Sequence, residues 1–192
     1  MSNLLEALQQ RRSFPARLLE EPAPTDDQIN ELLQCAITAP DHGALHPWRF
    51  VIIRGNARSK LGEVFAEVLT QDQPNASEEK IRSVRDKPLR SPLIIAVIAS
   101  IDQHHPKTPP VEQLLSAGVA ASQLQLAATA MGFGSIWLTG PNAYHPTVKQ
   151  QLGVSPDDEI VGFIYIGTAT VIPPAKKKQP VLSDHVSEWH GD

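Results

Sequence analysis

The stretch Pro92-Leu93-Ile94-Ile95-Ala96-Val97-Ile98-Ala99 decides the fold class. It is an unbroken apolar run of strand length. A run of this kind reads as a strand covered on both faces, not as the alternating strand of a half-solvated sheet. Residues 103–110 follow as a loop with two histidines and three prolines, a candidate for mobility. Residues 111–131 then read as one long helix, apolar nearly all round and rich in alanine. Such a helix is expected to be buried on several sides. Its small side chains permit close approach of another helix, from this chain or from a partner.

Working outward, Gly132-Phe133-Gly134 breaks the long helix. A short strand is expected over 135–140, a short helix over 145–152 and a further strand over 159–167. Upstream, 77–86 reads as a charged, exposed helix and 57–69 as a helix with Leu61, Val64, Phe65 and Val68 on one face. Arg49-Phe50-Val51-Ile52-Ile53 reads as a strand stopped by Gly55. Thr25-Asp26-Asp27-Gln28 reads as a capping box, with acids in the first turn. Ile29, Leu32, Leu33, Ala36 and Ile37 then form one apolar face, and Pro40 ends that helix. Leu4, Leu5 and Leu8 mark an N-terminal helix ending near Arg11-Arg12. Strands alternate irregularly with helices, so the expectation is α+β, with α/β next.

The chain has 192 residues, 41% of them hydrophobic, which fits one domain with a real core. Its net charge is −4 and no basic run dominates, which argues against a nucleic-acid partner. No apolar stretch approaches the roughly 20 residues of a membrane helix, and the N-terminus lacks a signal-peptide pattern. Cys35 is the only cysteine. It can form no internal disulfide, which fits a reducing, cytoplasmic compartment, and it is expected to be a small buried hydrophobe. The residues 168–192 mix a few hydrophobics with prolines and charges. They cannot form their own core and are expected to lie along the body or a partner subunit.

Several groups bear on chemistry. Arg11-Arg12-Ser13 places two cations and a hydroxyl at a helix end. They read either as complements of the negative helix C-terminus or as a bidentate grip on a phosphate. Ala39-Pro40-Asp41-His42-Gly43-Ala44, closing in Leu45-His46-Pro47-Trp48-Arg49-Phe50, crowds polar and aromatic groups into one loop. Loops held by rigid elements are where binding groups tend to sit. His42 and His46 have no third ligand at helpful spacing, and His104-His105 is a loop pair, so no metal is expected. Gly132-Phe133-Gly134 follows a helix and precedes a strand, the wrong order for a dinucleotide fingerprint. No Walker loop, nucleophile elbow or zinc-protease pattern is present. A bound cofactor would have to carry the chemistry.

Read in order, these pieces resemble the nitroreductase family of flavin mononucleotide (FMN) enzymes. The resemblance runs from Arg11-Arg12-Ser13 and Arg17 through Glu21-Pro22-Ala23-Pro24-Thr25, Ala39-Pro40-Asp41-His42-Gly43 and Pro47-Trp48-Arg49-Phe50. It continues through Gly132-Phe133-Gly134-Ser135-Ile136-Trp137 and Val161-Gly162-Phe163-Ile164-Tyr165-Ile166-Gly167-Thr168. It implies an α+β nitroreductase-like fold: a central mixed or antiparallel sheet flanked by helices, with the long helix buried at a dimer interface. It implies one FMN-binding domain over 1–192, with 168–192 a C-terminal extension. It also implies a homodimeric, cytoplasmic NAD(P)H-dependent oxidoreductase. Hydride would pass from NADH or NADPH to FMN and then to a nitroaromatic, quinone or similar small-molecule acceptor. The alternatives are a flavin-binding storage, sensor or partner-binding protein, or another flavin chemistry such as dehydrogenation or dehalogenation. By position, Arg11, Arg12 and Ser13 would hold the phosphate and ribityl end of FMN. Thr38 and His42 would reach it from the partner, and Trp137, Leu138 and Thr139 would line the ring. Ala127, Ala128, Thr129, Ala130, Met131 and Gly132 would meet NAD(P). Thr38 and Leu138 stand where relatives often carry arginine, and Lys178 is the cation expected to compensate. No side chain is expected to act as a catalytic nucleophile.

Overall fold

All seven residues of the strand Leu93–Ala99 (β3) are buried. The structure, a computed structural model, describes residues 4–171 and 180–191. β3 lies between Trp48–Arg54 (β2) and Glu159–Ala169 (β5), both antiparallel to it. Its side chains alternate between two helical layers, as a strand's period of two requires. Ile94, Ala96 and Ile98 pack with Leu61, Phe65 and Val68 of the helix Asn56–Asp72 (α3). Leu93, Ile95 and Val97 pack on the opposite side with Leu32 and Ala36 of Asp26–Ala36 (α2) and with Ala121, Leu124 and Ala128 of Pro110–Ala130 (α5). Truncating any of the buried isoleucines to alanine would cost about 2–5 kcal/mol.

Two further strands pair with β5, also antiparallel: Gly134–Leu138 (β4) and Leu19–Glu20 (β1). The fold is therefore α+β, with an antiparallel sheet between helical layers. The other described helices are Leu4–Gln10 (α1), Glu78–Arg85 (α4) and Pro146–Gln151 (α6), alongside four short single-turn segments, of which Ala16–Leu18 leads into β1 and Lys87–Arg90 precedes β3. The capping box at Thr25 and Gln28 is formed in both directions. Gly132 (φ +86) closes α5, with its amide bonded to Thr129 and the Phe133 amide to Ala128. That is a Schellman cap, which needs the left-handed conformation glycine adopts freely. No described helix is long and apolar enough to cross a membrane.

Two expectations change, for Cys35 and for the 103–110 loop, while α5 is covered by this chain on one flank only: Val111, Leu115 and Val119 are 59%, 63% and 39% exposed. Its all-round apolar composition exceeds what one chain can cover. Cys35 is exposed. The buried stripe of α2 runs through Ile29, Leu32 and Ala36, and Cys35 falls one position off it. The 103–110 loop is tied down rather than free. The Gln113 side chain accepts from the Asp102 amide and donates to the carbonyls of Asp102 and Thr108, while His105 Nδ1 accepts from the Thr108 amide. Residues 180–191 are exposed throughout, including Leu182, Val186 and Trp189. Lys178 lies outside the described residues.

Candidate functional site

Arg11, Arg12 and Ser13 leave the end of α1 and run directly beside β4. Ser13 forms an isolated parallel bridge with Ser135, and the Phe14 amide donates to the Ser135 carbonyl at 2.9 Å. The Ser135 hydroxyl, itself buried, accepts from Gln125 Nε2 at 3.3 Å. Both arginines are half-buried. Among the described residues the Arg11 guanidinium has no ion-pair partner. A half-buried cation without a counter-charge, next to a free hydroxyl, suits an incoming anion.

Two residues further along β4, the Trp137 indole donates from Nε1 to the Val161 carbonyl at 3.1 Å. Its edge abuts Gly162, where a Cβ would stand only 2.1 Å from that nitrogen. Glycine is required there by close approach, not by backbone conformation. Leu138 and Thr139 follow, both exposed, before Gly140 turns the chain (φ +70). The basic cluster thus runs beside the start of β4, and the exposed Leu138 and Thr139 leave its end.

A second surface is a groove of about 760 Å³ between α1, the end of α2 and α5. Thr38, Cys35, Ala127 and Ala130 line it, with Leu4 and Leu8. The Thr38 hydroxyl donates to the Cys35 carbonyl at 2.8 Å and stands 3.3 Å from Gln123 Oε1. Of the stretch expected to meet NAD(P), Ala128 is fully buried in the core, and Thr129 spends its hydroxyl on the Gln125 carbonyl. Met131 and Gly132 form the helix cap.

His42 sits apart from both. Its Nδ1 lies 2.6 Å from Glu112 Oε2 in the first turn of α5. The loop that presents it holds Gly43, Ala44 and His46 at φ +82, +51 and +51. Left-handed alanine and histidine are uncommon and persist only where surroundings impose them. Here the Asp41 carboxylate accepts from the His46 amide at 2.6 Å, and Thr108 Oγ1 donates to the His42 carbonyl. Asp41 shapes the turn and His42 is what the turn displays. Glu112 and the cap at Gly132 stand about 30 Å apart along α5, at 1.5 Å per residue. One chain therefore does not bring His42 to the other candidate residues of that helix.

Glu112, Gln113, Gln125 and Gly162 were not singled out from the sequence. Gln113 and Gln125 left a trace there, as amides on an otherwise apolar helix. Glu112 left none, because its partner is 70 residues away.

A sequence model of the nitroreductase family matches residues 8–168. The chain belongs to this family. It is 42% identical over 166 residues to the putative NAD(P)H nitroreductase YdjA of Escherichia coli K12, covering 85% of this chain and 87% of that one. Among solved structures, the nitroreductase-like protein of Bacillus cereus superposes with a TM-score of 0.85 at 24% identity, covering 100% of this chain and 98% of that one. A Bacteroides fragilis nitroreductase solved with bound FMN superposes with a TM-score of 0.71 at 19% identity, covering 98% and 100%. Nitroreductases are oxidoreductases, and this chain is an enzyme of that class.

Proposed function

We propose that this nitroreductase binds FMN and acts as a cytoplasmic homodimer, oxidising NAD(P)H and reducing a nitroaromatic, quinone or similar acceptor. The observation that carries the reading is the Ser13–Ser135 bridge. We read it as setting two half-buried arginines and a hydroxyl near one end of a ledge formed by Trp137, Leu138 and Thr139. The residues fit FMN in charge and shape. Arg11 and Arg12 would hold the phosphate dianion, Ser13 would donate to it, and the ledge would support the flat ring. When bound, FMN supplies hydride acceptance from the nicotinamide and its return to the acceptor. The protein's part is to grip, orient and shield.

The dimer rests on α5 and α1. Val111, Leu115 and Val119 of α5, with Leu4 and Leu8 of α1, are large apolar side chains that the single chain leaves exposed, as an interaction surface would. A second copy there would also carry Thr38 and His42 toward the first copy's Arg11–Ser13 cluster. Visible absorption of the purified protein, followed by rapid mixing with NADH or NADPH, tests the proposal. A yellow dimer whose flavin band bleaches within turnover time is expected. A colourless protein that takes up no added FMN would overturn it, and a yellow one that neither nucleotide bleaches would remove the enzymatic part.

A further inference from the structure

Three arginines from three separate elements line a second cleft, of about 400 Å³, that the proposed flavin site does not use. Arg17 comes from the turn before β1, Arg58 from the first turn of α3, and Arg90 from the turn that leads into β3. Among the described residues none of the three takes part in an ion pair. Arg58 donates from one terminal nitrogen to the Ser91 carbonyl at 2.6 Å, yet its buried Nε has no hydrogen-bond partner among the described residues. Leaving a buried charged donor unmade is expensive. Two carboxylates share the rim but do not neutralise the cluster. Glu21 is turned to the Ala23 amide at 2.6 Å, and Glu20 makes no ion pair. Leu89 and Pro92 add an apolar wall, with Leu89 44% exposed.

From this we infer a second ligand site: the cleft binds a phosphate group, carried by a small organic molecule whose apolar part rests on Leu89 and Pro92. Guanidinium forks match phosphate oxygens in pairs. The inference is independent of FMN binding, since it uses none of the residues assigned to the flavin.

The test is NMR of the full-length protein, following the arginine Nε–H resonances during titration with inorganic phosphate and with phenyl phosphate. Both titrations are run with and without saturating FMN. Saturable shifts at Arg58 that persist with FMN present are expected, with phenyl phosphate the tighter ligand. Arg17→Gln and Arg90→Gln, both at exposed positions, should each weaken binding about tenfold and leave the melting temperature unchanged. Equal affinity for the two probes would support the site and identify free phosphate as its ligand. Absence of a saturable shift, equal binding by the variants, or loss of the shift when FMN is added would each overturn the proposal.

Discussion

Nδ1 of His42 stands 2.6 Å from Oε2 of Glu112, joining the strained 41–46 loop to the first turn of the longest helix. Both side chains are largely exposed, so the bond itself contributes less than about 1 kcal/mol to global stability. Its effect is local. It fixes the direction in which the loop displays the imidazole. Glu112→Ala is expected to leave the melting temperature nearly unchanged while speeding hydrogen exchange at the His46 and Thr108 amides. Unaltered exchange at both would show that Asp41 and Thr108 hold the loop without Glu112.

The seat of Trp137 is the second point of rigidity. Gly162→Ala would place a methyl 2.1 Å from the indole nitrogen, and the backbone of β5 has no freedom to retreat. Overpacking of this kind costs about 1–3 kcal/mol. The variant should fold, lose stability on that scale and show altered tryptophan fluorescence as the Nε1 bond to Val161 breaks. Adding Trp137→Leu to Gly162→Ala should recover much of the lost stability. If the double variant is as unstable as the sum of the two single ones, the clash is not the cause.

How far the sequence discloses this molecule depends on the range of each interaction. β3 was legible because burial on both faces leaves an unbroken apolar run. The Thr25–Gln28 cap was legible because it closes within four residues. β1 was not, since two residues carry no periodicity and owe their pairing to Ala169 and Thr168 across the sheet. The exposure of Cys35 was misjudged because apolar neighbours in sequence are not neighbours in the core. At the candidate site, the arginine pair and the histidine loop stood out as polar groups with no packing role. Glu112, Gly162 and the clamp by Gln113 depend on contacts that only the folded chain creates.

Tyr165 links pH to stability. Its phenol is buried, which pushes its pKa from 10.0 up to about 12, while nearby Arg90 pulls weakly the other way. Between those values the unfolded chain has released the proton and the folded chain retains it. The folded state then binds more protons, so stability falls as pH rises through this window and is unaffected below it. The loss should be on the order of 3 kcal/mol, at about 1.4 kcal/mol per unit. Denaturant midpoints across the alkaline range should show this slope in the wild type and lack it in Tyr165→Phe. Parallel decline of the two proteins would assign the alkaline loss to other groups.

The arginines at the end of α1 carry the most direct prediction about function. Arg11 and Arg12 are half-buried and adjacent to the Ser13–Ser135 bridge, yet they lie outside both hydrophobic clusters of the core. Removing either should therefore harm ligand retention more than folding. A charge-assisted bond to phosphate is worth about 1.5–3 kcal/mol, so Arg11→Ala and Arg12→Ala should each weaken FMN binding by about tenfold to a hundredfold. The melting temperature of the flavin-free protein should move little. Equilibrium dialysis with FMN and with riboflavin separates the phosphate contribution from the rest. Each variant should lose affinity for FMN while keeping that of the wild type for riboflavin. Equal losses for both ligands would mean that the arginines shape the ledge and do not grip the phosphate.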